Sequence, residues 1–202
     1  MATSAVSGTI PAADDRDDAR AIEVPLGDYR LAAGGDVLTA GMGASLCVCA
    51  RDTQTGVGGI SHFLLPAEEG SRNIWSVNAA ARAMRLGNHA IEHLVTGIQK
   101  RGGTRGRLQV MVFGGALVHG DMYEVARGSV DVLQRYLVIE GIWPLCAELG
   151  GHEVREVVYV PATGSVRVTG AGADRARTIL ARELEEIRRW AASSDADDIV
   201  LF

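Results

Sequence analysis

Residues 39–62 constrain the chain more than any other stretch. Two short runs, residues 46–50 and 57–63, alternate or run apolar on either side of Thr53-Gln54-Thr55-Gly56. That pattern predicts a β-hairpin. In a strand, Ser45, Cys47 and Cys49 share one face and Ala44, Leu46 and Val48 the other. Gly41 and Gly43 lie just ahead, so a small nucleophile-type side chain leaves a tight Gly-rich turn. A lone histidine, His62, follows seventeen positions after Ser45. A hairpin can bring such a nucleophile and base together. A plainer reading stands beside it: the cysteines are small hydrophobes on a buried face, and His62 is a satisfied core histidine at a strand end.

The rest of the chain supplies a layered fold around this hairpin. The 202 residues are 47% hydrophobic, which suits one compact domain with a real core. Residues 1–20 are rich in Ala, Ser and Asp and are expected to be disordered. Residues 21–32 read as a short strand with a turn at Leu26-Gly27-Asp28. Apolar residues recur at helical spacing over residues 74–99, and Arg101-Gly102-Gly103 stops that helix. Residues 108–113 are a nearly continuous apolar run, expected as a buried strand. A second helix follows from Met122 and ends before Gly141. Short strands are expected over 145–149, 154–160 and 166–168. A last helix runs from Asp174 to about Ala192, its charged face read as solvated. Strands, helix, strand, helix, strands, helix is an α+β order, a mixed layered sandwich. The division expected is a segment of residues 1–20, a domain over 21–173, and a C-terminal helix with an acidic, then apolar, tail over 174–202.

Charge and cysteine usage narrow the function classes. A net charge of −5 favours neither nucleic acid nor an anionic membrane surface. No apolar run approaches the ~18–20 residues of a membrane span. The N-terminus reads as neither a signal peptide nor a basic transit peptide. Three cysteines point to reduced thiols in a cytoplasm rather than a disulfide framework. Cys47 and Cys49 lack further ligands for zinc. His89 and His93 share a helix face, but no zincin-type carboxylate motif accompanies them, and they read as surface histidines. The Gly-Met-Gly-Ala-Ser stretch lacks the lysine and spacing of a phosphate-binding loop.

Several segments then fall into one ordered pattern. Thr39-Ala40-Gly41-Met42-Gly43-Ala44-Ser45-Leu46 is followed by His62-Phe63-Leu64-Leu65-Pro66. Arg85-Leu86-Gly87-Asn88-His89-Ala90-Ile91 and Met111-Val112-Phe113-Gly114-Gly115-Ala116 come next. Glu148-Leu149-Gly150-Gly151, Arg155, Val157 and Thr163-Gly164-Ser165-Val166 follow, and the chain closes on Ile199-Val200-Leu201-Phe202. These resemble, in order, the motifs T-L-G-L-G-S-C-V, H-x-x-L-P, R-Y-G-D-x-A-M, K-V-F-G-G-A, D-x-G-G…R-x-V…T-G-x-V and V-E-L-F of the CheD family of chemotaxis proteins. The resemblance spans about residues 22–170 and the tail. It implies a three-layer α/β/β sandwich and deamidation of glutamine side chains on chemoreceptors. It also implies a nucleophile at position 45, a base at His62, a supporting Thr39, and no metal or cofactor. Implied partners are the cytoplasmic helices of methyl-accepting chemoreceptors and a phosphatase of the CheC type.

One position departs from the pattern in a way that bears on chemistry. Ser45 stands where the family signature has cysteine, and Ala44 where it has serine. A hydroxyl is far less ionised than a thiol near neutral pH, so a Ser–His pair loses most of a Cys–His pair's rate. Three readings stay open: an engineered replacement, a natural copy that lost catalysis and keeps a binding role, or Cys47 as a substitute nucleophile. The expected function is that of a chemoreceptor glutamine deamidase, impaired at Ser45. The alternative is an inactive binding or regulatory module, with the apolar tail and the surface near His62 as its contacts.

Overall fold

A computed structural model describes residues 21–32, 34–65, 77–118, 120 and 122–192. The expectations for residues 1–20, for Pro66, for the first residues of the first helix and for the tail lie outside them. The strands are β1 (Ala21–Glu23), β2 (Asp28–Ala32), β3 (Val37–Met42), β4 (Leu46–Asp52) and β5 (Gly58–Phe63). Helix α1 (Val77–Lys100), β6 (Leu108–Gly114) and α2 (Met122–Ile139) follow. The described chain ends with β7 (Cys146–Leu149), β8 (Arg155–Val160), β9 (Ser165–Gly170) and α3 (Ala173–Ala192). One sheet has the order β1-β3-β8-β9 and the other β2-β5-β4-β6-β7.

The hairpin forms as its pattern predicts and sits in the middle of the second sheet. β4 is antiparallel to β5 on one side and to β6 on the other. Because side chains alternate, each residue of β4 meets one of two cores. Leu46, Val48 and Ala50 pack with Ile91, Leu94, Val95 and Ile98 of α1 and Val132, Leu133 and Tyr136 of α2. Cys47 and Cys49, with Met111 and Phe113 of β6, meet Leu38, Ala40, Met42, Val157 and Tyr159 of the other sheet. The result is an α+β sandwich with layers of helices, sheet and sheet. A one-residue slip of β4 would exchange both cores, so its register is tightly specified.

Asp52 closes the hairpin. Its side chain accepts N–H bonds from Gln54, Thr55 and Thr104 and pairs with Arg107 at 2.9 Å. Burial pushes its carboxyl up, but the N–H donors and the guanidinium outweigh this and hold it well below the usual carboxylate range.

Two parts differ from the sequence expectation. Residues 21–32 form two strands rather than one, because Pro25 and a left-handed Gly27 (φ 86°) break the run. β1 joins the four-stranded sheet and β2 the five-stranded one, so the Val24–Gly27 connection crosses between them. The second difference is on α3: its apolar residues Leu180, Leu184 and Ile187 pack as their spacing predicts against Ala44, Leu64, Met122 and Val125, but Glu183, one of the charges read as solvated, is buried with them. This carries α3 to the turn that precedes Ser45.

Candidate active site

The hairpin register delivers the two site residues. Cys47 pairs with His62 and Leu46 with Phe63, so the turn ahead of β4 lies beside the end of β5. Ser45 Oγ and His62 Nε2 are 2.9 Å apart. His62 Nδ1 lies 3.0 Å from the Val24 carbonyl oxygen. A carbonyl only accepts, so the proton is assigned to Nδ1, which leaves Nε2 to accept the Ser45 hydroxyl proton. That is the tautomer a general base needs. The backbone around the ring is tied down as well. Val24 donates to the Thr39 carbonyl at 2.8 Å, and Gly27 donates to the His62 carbonyl at 2.9 Å.

The turn before Ser45 is built to present amides. Ala116 N–H bonds the Gly43 carbonyl at 2.7 Å, and Gly115 N–H bonds the Ser45 carbonyl at 2.8 Å. Drawing the Gly43 carbonyl inward turns the N–H of the same peptide, that of Ala44, outward. Gly114 makes the approach possible, since a Cβ there would lie 2.2 Å from the Ser45 oxygen, and its φ is 109°. The outward N–H groups of Gly43, Ala44 and Ser45 form a nest of the kind that binds anions. The structure already holds an anion there. The Glu183 carboxylate accepts Gly43 N–H at 2.9 Å and Ser45 N–H at 3.0 Å on one oxygen, and Ala44 N–H at 2.8 Å on the other.

The side chains of the site are nearly buried. Ser45 is 0% exposed, His62 4% and Glu183 1%. Burial pushes the His62 imidazole below its ordinary value, against the opposing pull of its Val24 bond and the Glu183 and Glu23 charges. His62 is therefore a neutral base near pH 7. A cleft of about 280 Å³ runs from His62 between the Val24–Leu26 segment and α3, with Glu183, Arg182 and Arg189 on its α3 side. Ion pairs fasten that side: Arg175 to Glu23 and Glu156, and Arg182 to Glu23.

The structure thus joins Ser45 and His62, as the hairpin reading anticipates. Thr39 sits on β3, where its backbone carbonyl supports Val24. Among the described residues its hydroxyl bonds neither Ser45 nor His62. Cys47 lies opposite His62 in the pairing, but its side chain is buried between the sheets with its sulfur 3.8 Å from that of Cys49. Burial pushes the Cys49 thiol up, as does the neighbouring Cys47. His89 and His93 lie with ring centroids 3.8 Å apart and planes tilted by 52°, and Tyr29 meets His93 edge-on. Both are partly exposed, surface histidines that pack on one another.

Two members of the site escape a motif search. Val24 acts through its backbone, which carries no sequence signal. Glu183 has one: at positions 179, 180, 183, 184 and 187 it falls inside the apolar stripe of α3 rather than on the charged face.

Comparison with known proteins points to the same family. The profile of the family described as CheD chemotactic sensory transduction matches residues 64–170. The chain is 33% identical over 174 residues to a probable chemoreceptor glutamine deamidase CheD of Halorhodospira halophila, covering 85% of this chain and 81% of the relative. A Caulobacter vibrioides protein of the same description is 33% identical over 186 residues, covering 91% and 96%. One from Rhodopseudomonas palustris is 37% identical over 154 residues, covering 76% and 70%. With a matching profile over more than half its length and relatives aligned across the hairpin site, this chain belongs to the CheD family.

Proposed function

We propose that the chain is a chemoreceptor glutamine deamidase of the CheD type, converting receptor glutamines to glutamate with release of ammonia. The observation that carries this reading is the buried Ser45 Oγ–His62 Nε2 contact of 2.9 Å, on a turn whose amides bind a carboxylate. In the first step His62 Nε2 takes the Ser45 proton as Oγ bonds to the glutamine side-chain carbon. The amides of Gly43, Ala44 and Ser45 hold the oxyanion. The imidazolium gives its proton to the departing nitrogen, and ammonia leaves an ester. Water, deprotonated by His62, then splits that ester to glutamate and Ser45. The Val24 carbonyl keeps the ring oriented, a task for which other hydrolases use a carboxylate. Thr39 supports it at one remove, through its backbone bond to Val24.

Ser45 makes this a weak nucleophile where the family motif has cysteine, whether by engineering or natural loss. A second reading follows: an inactive module that binds receptor helices or a phosphatase of the CheC type. The filled amide nest favours it as much as Ser45 does. Either role belongs in the cytoplasm, where receptor helical bundles project. Among the described residues no helix is long and apolar enough to cross a membrane.

Mass spectrometry of receptor incubated with the chain and with its Ser45→Cys form separates the readings. Gln-to-Glu conversion by the Ser45→Cys form alone identifies a disabled deamidase. Conversion by neither form sinks the enzymatic reading. A pull-down of receptor with and without residues 195–202 tests the tail, and unchanged binding removes it as a contact.

A further inference from the structure

Glu183 presents a difficulty for any reaction at Ser45. The amides that would hold an oxyanion are all occupied by its carboxylate, and both reacting side chains are nearly buried. The cleft beside α3 reaches His62 and Glu183 but Ser45 is not among its lining residues, so a glutamine carried on another protein finds the amides taken while α3 stays in place. The way α3 is held differs from the way the sandwich is held. Among the described residues, none of its side chains joins the core between the two sheets or that between the five-stranded sheet and the helix pair α1–α2. Its anchors are the Glu183 carboxylate, an apolar stripe of Ile179, Leu180, Leu184 and Ile187, and ion pairs from Arg175 and Arg182 that are partly solvated.

The seat fits this helix closely. A Cβ at Gly43 would lie 2.6 Å from both Glu183 Oε2 and Leu180 Cδ2, and one at Gly41 would lie 2.6 Å from Ile179 Cδ1. The two glycines of the signature turn therefore admit a helix surface, with a carboxylate reaching past them into the nest. We infer that α3 is an internal, displaceable occupant of the site, with Glu183 placed there as a glutamate in the position of a reaction product. This rests on the deamidase reading for the word product, though the occlusion itself does not. The partner that displaces α3 is another amphipathic helix, presenting a glutamine from within an apolar stripe of similar spacing. On release Glu183 is hydrated, and the three amides become free for the oxyanion. The resting protein is self-inhibited, and activity requires exchange of one helix for another.

The test uses the full chain carrying Ser45→Cys, which places an alkylatable thiol at the site. Iodoacetamide labelling is followed at each cysteine by peptide mass spectrometry, alone and combined with Glu183→Ala or with Leu184→Asp. The second variant loosens α3 without touching the nest. Loss of the charge-assisted bonds in the first variant, and of apolar seating in the second, predicts labelling at position 45 faster by about tenfold or more in both, while Cys47 and Cys49 stay unlabelled. Equal labelling at position 45 in all three proteins overturns the inference. So does labelling of Cys47 and Cys49 in step with position 45, because α3 would then be integral to the fold. The readout needs neither receptor nor turnover, so its outcome is separate from that of the deamidation assay.

Discussion

Removing His62 in the Ser45→Cys form tests the proposed chemistry most directly. The imidazole is 4% exposed, neutral, and fixed at both nitrogens, with Nε2 aimed at the side chain of residue 45. A base so placed contributes about a hundredfold to ten-thousandfold to proton transfer, or about 3–5 kcal/mol of barrier. Without it, attack depends on the small fraction of thiolate that an unassisted thiol of pKa about 8.5 supplies near neutrality. His62→Ala is therefore expected to lower kcat/KM for receptor deamidation by that factor. The pH profile adds an independent check. With His62 present, activity falls as pH drops through the imidazole's depressed value, on the acid side of 6.5. With His62→Ala, the acid limb moves up toward the thiol's own ionisation. The assay is time-resolved mass spectrometry of a receptor cytoplasmic fragment at several pH values, with circular dichroism to check folding. A folded His62→Ala form that keeps kcat/KM within about threefold, or keeps the original acid limb, refutes His62 as the base.

Other perturbations reach neighbouring parts of the argument. Gly43→Ala drives a methyl to 2.6 Å from Glu183 Oε2 and Leu180 Cδ2. Glu183 is held by three N–H bonds and yields only by breaking them, so a loss of about 1–3 kcal/mol is expected in urea unfolding, and an unchanged midpoint would contradict the seating of α3. His62 also ties stability to pH. Its folded value lies below the unfolded 6.5, so its contribution is complete above 6.5 and is lost as pH falls from there through the folded value. Unfolding midpoints measured across that range are expected to lose part of this acid sensitivity in His62→Gln. Among the thiols, Cys146 is partly exposed whereas Cys47 and Cys49 are buried, so a thiol reagent is expected to modify Cys146 first in the native protein. Early modification of Cys47 would reopen it as the nucleophile.

The sequence by itself determined the parts that rest on local periodicity. Alternation in residues 46–50 and 57–63 specified the hairpin, and the apolar stripes of α1, α2 and α3 specified three helices. The hairpin pattern made Ser45 and His62 a possible pair, and the ordered family motifs, rather than the spacing alone, nominated both as site residues. What the tertiary structure alone decided depends on contacts between distant segments. The Val24 carbonyl that sets the imidazole tautomer is a backbone atom, and every residue type carries one. The split of residues 21–32 between two sheets depends on which strand edges were open, and local pattern is blind to that. Glu183 lies 138 positions from Ser45 and on a helix whose charges read as solvated. Only the docking of α3 on the glycines of the signature turn turns that glutamate from one charge among many into the occupant of the site.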